Sequence, residues 1–364
     1  MAPHKNIFKT FPYPEFIELP LEGTRPVPGL KKGSILGQSE LLAERTYPKG
    51  VDLVSPLPGR VTSITNYSIT LAVDPECGAE PPAVIRLLNL GAVEALKALH
   101  RLGIPTIGPA NPGEPLIISG FDPEPGLNCA PALWEDQLPT LEAGIQLLRH
   151  LFPGKPILQV LPMEIAGFPL GTTSPLHCEL KYPHTLPVFL KRKILGAYDP
   201  LAGGVVSSRT LYLWGTVLRT GRAPMAFPLT LQNVAALVPP GISPEKLLLL
   251  VNLSAREDSL VVLGGLARGI PTARVQVGLS SSVEGLFLLR KKKFHTYPPE
   301  PCLHCGRCVK ACPLKLPVNY LGQTPLHLWP LLLRQFPNLL QCPTCGLCAL
   351  NCPSGFPLSA LRQA

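Results

Sequence analysis

Two runs of cysteine near the C-terminus constrain this chain more than any other feature of its sequence. In each run, three cysteines are separated by two residues, a fourth follows after three more, and a proline comes next. The runs are Cys302-x-x-Cys305-x-x-Cys308-x-x-x-Cys312-Pro313 and Cys342-x-x-Cys345-x-x-Cys348-x-x-x-Cys352-Pro353. Three thiolates on one tight loop can bind three irons of a cubane, and the fourth cysteine can reach a second cubane. The pattern therefore predicts two [4Fe–4S] clusters.

The exchange of the fourth cysteine gives each cluster one ligand from the other run. Cluster 1 is predicted to bind Cys302, Cys305, Cys308 and Cys352. Cluster 2 is predicted to bind Cys342, Cys345, Cys348 and Cys312. Gly306 and Gly346 let the backbone fold closely round the sulfurs, so that N–H groups can donate to them. Zinc is the alternative metal, but a zinc site usually takes its four ligands as two separated pairs.

The composition predicts a folded chain outside the secretory pathway. Apolar residues make up 46% and charged residues 16%, which is the reverse of the balance in a disordered chain. The 45 prolines predict many short turns and few long helices. The N-terminus lacks an apolar signal region, and the apolar stretches are too short to span a bilayer. We expect a cytoplasmic protein, or one held on the inner face of the cell membrane by its partners.

The net charge of +9 raises the question of an anionic partner. Basic residues are scattered, and no basic stripe interleaved with aromatic residues is present, so a nucleic-acid partner is not predicted. The densest basic run is Arg290-Lys291-Lys292-Lys293, just before the cysteines. It is either a solvated linker or a docking patch for an acidic electron carrier such as a ferredoxin or flavodoxin.

Upstream of the cysteines, the hydrophobic pattern predicts short strands and then alternating helices and strands. Residues 16–73 favour a small all-β module. Helices are predicted over 83–102, 141–151, 186–195 and 208–219, the first with Leu88, Ala92, Leu96 and Leu99 on one face. Strands predicted over 115–119 and 156–161 indicate a βαβ crossover and a parallel sheet. Residues 223–289 favour a small α+β unit, and residues 314–341 contain an apolar stretch that predicts a short helix over the clusters.

With its modules in this order, the chain resembles the RnfC family of the Rnf electron-transport complex. Three stretches carry the resemblance in addition to the cysteines. They are Lys32-Gly33 with Gly37-Gln38 and Ser55-Pro56-x-x-Gly59-Arg60-Val61; Ser119-Gly120-Phe121-Asp122-Pro123-Glu124-Pro125 with Trp134-Glu135-Asp136; and Gly264-Gly265-Leu266-Ala267-Arg268-Gly269-Ile270-Pro271 with Val277-Gly278-Leu279.

The resemblance implies a multidomain α/β and α+β fold with four parts. The first is a small all-β barrel-sandwich hybrid, a lipoyl-like domain, over residues 1–75. An α/β domain similar to the flavin subunit of respiratory complex I follows over 76–222. A β-grasp module of the SLBB-like type covers 223–293, and a ferredoxin-like domain with both clusters covers 294–364.

The resemblance also implies a flavin site, and the chain departs from the family there. Members that bind FMN and NADH have a Gly-Gly-Ala-Gly-Phe-Pro loop, where residues 102–109 of this chain read Leu-Gly-Ile-Pro-Thr-Ile-Gly-Pro. Fewer glycines and two prolines leave fewer backbone donors for a phosphate. A second family turn, Tyr-Pro-x-Gly-Gly-Glu, keeps only Tyr182-Pro183. Asp122 and Glu124 are the candidate residues for flavin or NADH, and capping of a loop is their structural alternative.

These features favour an electron-transfer subunit of an Rnf-like oxidoreductase complex. It would relay electrons through two [4Fe–4S] clusters to or from other redox subunits or an acidic electron carrier, and no catalytic side chain is predicted. An FMN-dependent NADH dehydrogenase that feeds its own clusters is the first alternative. A zinc-bearing structural protein is the second.

Overall fold

The computed structural model describes residues 8–46, 50–78, 80, 82–108, 110–167, 174–196, 198–201, 203–256, 259–290 and 302–355. Within these ranges the chain is a multidomain protein of mixed α/β type, with several sheets and mostly short helices. The longest described helix has 14 residues, in agreement with the proline-rich composition. Among the described helices, none combines the length and the apolar character needed to cross a bilayer.

The N-terminal part is built from short strands, as the sequence predicts. After β1 (Lys9–Thr10), two sheets follow, with strand orders β2-β8-β7-β4 and β3-β5-β6. Their strands are β2 (Phe16–Pro20), β3 (Thr24–Pro26), β4 (Ile35–Leu36), β5 (Leu41–Arg45), β6 (Leu53–Val54), β7 (Gly59–Ile64) and β8 (Ser68–Val73). Alternate side chains such as Ile17, Leu19, Ile69 and Leu71 fill a separate core, because successive side chains of a strand point to opposite faces.

The middle part contains the predicted parallel sheet. Its order is β11-β10-β9-β12, and each neighbouring pair is parallel. The strands are β9 (Leu116–Ser119), β10 (Ile157–Leu161), β11 (Leu176–His177) and β12 (Val205–Ser207). The helices are α1 (Ala92–Arg101), α2 (Cys129–Asp136), α3 (Leu138–Leu151), α4 (Pro187–Leu195) and α5 (Ser208–Thr220). The crossover from β9 through α3 to β10 confirms the βαβ prediction.

The predicted boundaries of α4 and α5 are confirmed by their caps. The Ser207 side chain accepts a hydrogen bond from the Thr210 N–H at the start of α5. Gly221 ends this helix at φ 65°, and Gly196 ends α4 at φ 73°, both in the left-handed region.

The prediction for α1 is wrong in its start and in its buried face. The helix begins at Ala92 rather than near residue 83, because Gly91 is extended and the residues before it form only a 3₁₀ turn, Leu87–Asn89. Its buried residues are Ala95, Ala98 and Leu99, whereas Leu88 is exposed. The apolar spacing matched more than one face of a helix, and packing against α3 selected the face with small residues.

The next part is a mixed sheet of order β1-β14-β13-β17-β15-β16. Its later elements are β13 (Phe227–Leu231), β14 (Val234–Val238), α6 (Pro244–Leu250), β15 (Ser259–Leu263), β16 (Ile270–Thr272) and β17 (Gly285–Arg290). The predicted strand over 259–263 is confirmed. Buried residues of β9, α3, α5 and β13 belong to one continuous core, so this sheet and the parallel sheet pack as neighbours.

The C-terminal part consists of short helices around the cysteines. They are α7 (Arg307–Ala311), α8 (Asn319–Gln323), α9 (Trp329–Gln335) and α10 (Leu347–Leu350), with 3₁₀ turns at Leu326–Leu328 and Pro337–Gln341. The prediction of a short helix between the two cysteine runs is confirmed. Leu316, Val318, Leu321, Leu332 and Leu339 form a small core that also includes Cys312 and Cys348.

Candidate iron–sulfur site

The two cysteine runs form loops with the same backbone conformation. We call residues 302–312 loop 1 and residues 342–352 loop 2. His304 and Gly306 of loop 1 have φ of 53° and 70°, and Thr344 and Gly346, 40 positions later, have φ of 54° and 78°. Each loop leads into a short helix, α7 or α10, which begins directly after the glycine. Left-handed conformations are unfavourable for residues other than glycine, so their recurrence at matching positions marks a structural repeat.

Two cavities lie against these loops, and the cysteines divide between them. The larger, about 490 Å³, is lined by Cys302, Cys305, Cys308 and Cys352 among its residues. The smaller is lined by Cys312, Cys342, Cys345 and Cys348. Each cavity therefore borders three cysteines of one loop and the last cysteine of the other.

The donor set suits a cluster better than a single ion. In the described ranges, no three His, Cys, Asp or Glu side chains converge on one metal-ion position. The cysteines of a [4Fe–4S] cluster bind through separate irons of the cubane, so their sulfurs need not converge on one point. All eight cysteines are free of disulfides. The thiols and the two cavities thus fit an iron–sulfur cluster chemically.

Hydrogen-bond donors point at sulfur in both loops. The Leu316 N–H donates to Cys312 Sγ and the Thr344 N–H donates to Cys342 Sγ, each at 3.4 Å. The Gln323 side-chain amide donates to Cys302 Sγ, also at 3.4 Å. Such donors stabilise negative charge on sulfur and tune the potential of a cluster.

Burial and mutual repulsion shape the acidity of the thiols in the metal-free chain. Burial raises the pKa of Cys348 to about 12, and nearby thiolates, including that of Cys312, add to the rise. Burial also raises the pKa of Cys308, with a contribution from Cys352 of the other loop. These cross-loop effects require the fourth cysteine of each run to lie near the triplet of the other. A bound metal would reverse the effect, because a coordinated thiol is deprotonated.

Loop 2 is enclosed by the upstream parts of the protein. Cys345 and Cys348 are each only 7% exposed. Leu186 and Phe189 pack against Cys345, and the Tyr182 hydroxyl donates to its carbonyl oxygen. At Gly346, an added Cβ would clash with the carbonyl oxygen of Ala267, so no larger residue fits. Loop 1 differs, because Cys305 is exposed and Cys302 is half-buried.

Asp122 is not directed into a large cavity. Its carboxylate accepts from the Ala130 N–H at 3.0 and 3.1 Å, in the first turn of α2. Burial raises the pKa of Asp122 to about 7, and the charge of Glu284 raises it further, against the lowering effect of the backbone hydrogen bond. The adjoining cavity, also bordered by Arg209 and Glu284, measures only about 20 Å³. Ligand pockets for molecules the size of a flavin measure about 300–1,000 Å³.

Glu124 is held by an ion pair. It is 7% exposed, and its two carboxylate oxygens accept from the Arg268 backbone N–H and from Arg268 Nε, both at 2.8 Å. This pair joins the acidic turn to the segment that contacts Gly346. Glu124 therefore supports the wall of loop 2.

The loop that replaces the family's glycine-rich segment closes a helix instead of opening towards a phosphate. The Leu102 N–H donates to the Ala98 carbonyl, and the N–H groups of Gly103 and Ile104 donate to carbonyls of α1 in the same way. Pro109 lies outside the described residues. As these residues are placed, neither this loop nor the two carboxylates fits FMN.

Sequence reasoning missed several residues around the site. Gln323 carries no motif that would have identified it. Tyr182 and Arg268 belong to stretches that resemble the family, but their partners, 163 and 144 positions away, cannot be read from a linear pattern. Of the predicted basic docking run, Arg290 ends β17, and Lys291–Lys293 lie outside the described residues.

Comparison with known proteins extends the similarity over most of the chain. No family model matches. The chain is 24% identical over 384 aligned residues to the RnfC-type component of the ion-translocating oxidoreductase complex of Rhodobacter capsulatus, covering 89% of this chain and 72% of the relative. It is 28% identical over 74 residues to the corresponding component of the Na⁺-translocating ferredoxin:NAD⁺ oxidoreductase complex of Acetobacterium woodii, covering 20% of this chain and 17% of that relative.

Proposed function

Because this chain is a member of the RnfC-like family, we propose that it is the iron–sulfur electron-transfer subunit of an oxidoreductase complex. It holds two [4Fe–4S] clusters and relays electrons between partner proteins. Cluster 1 is bound by Cys302, Cys305, Cys308 and Cys352, and cluster 2 by Cys342, Cys345, Cys348 and Cys312. One observation carries the proposal: two loops of like conformation, each sharing a cavity with the last cysteine of the other.

The clusters would supply one-electron chemistry, and the protein would set the conditions for it. Eight thiolates hold the irons, and the donors from Leu316, Thr344 and Gln323 stabilise charge on sulfur. The wall formed by Tyr182, Leu186 and Phe189 excludes water from Cys345. Burial and hydrogen bonding to sulfur are the means by which a protein sets a cluster potential, so the two sites are expected to differ in potential.

In this proposal a partner supplies the flavin. The carboxylates of Asp122 and Glu124 are used within the protein, and the cavity beside Asp122 is far below the volume of a flavin pocket. An NADH dehydrogenase within this chain would require that cavity to open and the Glu124–Arg268 pair to break. A parent fold can persist after its site has been lost.

The finer architecture follows the same family. We assign the N-terminal sheets to a barrel-sandwich hybrid, the parallel sheet to a domain like the flavin subunit of complex I, and the mixed sheet to a β-grasp module. The C-terminal helices form the two-cluster domain. The partners would be other redox subunits or an acidic carrier, and the chain would sit in the cytoplasm, peripherally at the inner face of the membrane.

Anaerobic reconstitution tests the proposal. Purified chain should contain about eight irons and about eight acid-labile sulfides, and dithionite should produce the EPR signals of reduced cubanes. NADH alone should leave the clusters oxidised, and the purified chain should carry no flavin. Zinc without labile sulfide would instead identify the structural zinc protein. Bleaching by NADH with bound FMN would identify the dehydrogenase.

A further inference from the structure

The two cysteine loops share a backbone conformation but differ in charge at matching positions. Loop 1 and the turn after it have Arg307, Lys310 and Lys315 where the second repeat has Leu347, Leu350 and Gly355. All three basic residues are exposed. Lys310 and Lys315 also line the larger cavity, together with the cysteines assigned to cluster 1. The repeat therefore carries its basic side chains at one of its two sites.

The C-terminal part offers these cations no carboxylate of its own. Residues 301–364 contain five Lys or Arg and no Asp or Glu, although the whole chain has 24 acidic residues. Across the described residues, the ion pairs present involve none of Arg307, Lys310 and Lys315. Lys315 Nζ donates to the Lys310 carbonyl oxygen at 2.8 Å, which holds it at the end of α7. Basic residues around a cavity are complementary to an acidic protein surface.

An apolar side chain lies between these cations and the sulfurs. Leu303 is 67% exposed and lines the same cavity, and Cys305 beside it is exposed. An apolar centre with a charged rim is typical of protein interfaces. At cluster 2 the matching cysteine, Cys345, is enclosed by other parts of the chain, so a partner cannot approach it directly.

We propose that Leu303, Arg307, Lys310 and Lys315 form the docking surface for a small acidic electron-carrier protein, which exchanges one electron with cluster 1. The inference rests on the proposed function, because a redox centre must lie beneath the surface. In each exchange one centre loses the electron that the other gains, and no bond forms or breaks. An anionic membrane would also meet these cations, but it would offer the exposed cysteines no redox partner.

Charge reversal at this surface tests the proposal with the full, cluster-loaded chain and a purified acidic ferredoxin as the probe. The Lys310→Glu/Lys315→Glu variant should bind the ferredoxin at least about tenfold more weakly at low ionic strength, because rim charges steer encounter. High salt should remove most of that difference. The Lys310→Gln/Lys315→Gln variant should lie between it and the wild type. Lys31→Glu/Lys32→Glu, an exposed pair in the N-terminal part, makes the same change in net charge and should leave binding unaltered.

A chemical measurement locates the contact independently of binding strength. A water-soluble carbodiimide joins lysine amines to carboxylates that touch them. Mass spectrometry of the wild-type complex should find cross-links from Lys310 or Lys315 to the ferredoxin. Dithionite should reduce the clusters equally in all variants, since a small reductant needs no docking surface.

Three results would overturn the docking surface. The first is unchanged ferredoxin affinity in Lys310→Glu/Lys315→Glu, and the second is an equal loss in Lys31→Glu/Lys32→Glu. The third is loss of binding to phosphatidylglycerol vesicles with ferredoxin binding intact, which would identify a membrane surface. Wild-type chain that forms no clusters would refute the proposed function itself, whereas normal clusters with ferredoxin docked elsewhere would refute only this inference.

Discussion

Loop 1 and loop 2 have the same cysteine spacing and the same left-handed backbone positions, yet they lie in opposite environments. Cys305 of loop 1 is exposed to solvent in a basic setting, whereas Cys345 of loop 2 is enclosed by the parallel-sheet domain and the mixed sheet. A local pattern can therefore build two similar binding loops, while the packing of distant segments gives them different access. We infer that one site exchanges electrons with the outside and the other with the interior of the complex.

Removing cysteines should have the largest effect and tests how the loops share ligands. Cys302→Ser/Cys352→Ser should lose one cluster and keep about four irons, because both residues serve cluster 1. Cys302→Ser/Cys312→Ser should lose both clusters, because these residues serve different ones. Iron analysis and EPR of the reduced proteins measure the outcome. If both pairs retained the same iron content, the exchange of the fourth cysteine would be wrong.

Alanine at the two loop glycines should separate the enclosed loop from the open one. Gly306→Ala should cost about 1 kcal/mol of unfolding free energy, since only the left-handed conformation opposes it and no atom lies within 4 Å of the new Cβ. Gly346→Ala should cost about 3 kcal/mol or more, because it adds a clash with the Ala267 carbonyl oxygen. Urea denaturation of both variants gives the comparison. Equal costs would show that loop 2 is not tightly packed.

Chelation should remove the clusters in order of exposure. Cluster 1 borders an exposed cysteine and a wide cavity, whereas two ligands of cluster 2 are each 7% exposed. A chelator that competes for iron should therefore destroy cluster 1 several times faster. The decay of each EPR signal, assigned with the cysteine variants, measures both rates. Simultaneous loss would contradict the difference in access.

Tyr182→Phe should affect the enclosed loop alone. The substitution removes the hydroxyl that donates to the Cys345 carbonyl and keeps the ring that packs on the loop. Its loss should lower the unfolding free energy by about 1 kcal/mol and shift the potential of cluster 2. The signal of cluster 1 in the same redox titration is the internal control. A shift in cluster 1 of equal size would argue for a general change in the fold.

The smallest effect concerns Asp122, in the acidic turn that leads to the wall of loop 2. Its pKa is about 7 in the folded protein against an ordinary 3.8, so the ionised form is disfavoured in the fold. Its contribution to stability is therefore greatest below about pH 4 and is lost as pH rises through about 7. Asp122→Asn keeps an acceptor for the Ala130 N–H and should flatten that decline. Urea denaturation across this pH range would show unchanged slopes if the carboxylate were already ionised.

The sequence by itself determined the features that depend on neighbouring residues. The cysteine spacing indicated two like loops, Ser207 and Gly221 marked the ends of α5, and the spacing of apolar runs predicted the parallel sheet. These signals are legible because caps, turns and ligand triplets act over a few residues, where the chain itself sets the geometry.

Only the tertiary structure decided which loop is open and what the acidic turn does. Glu124 meets Arg268 across 144 positions, and Tyr182 meets loop 2 across 163, so no local pattern could distinguish a wall from a flavin site. The buried face of α1 was settled in the same way, by the helix that packs on it. Burial depends on the sum of contacts from distant segments, and that sum exists only once the chain has folded.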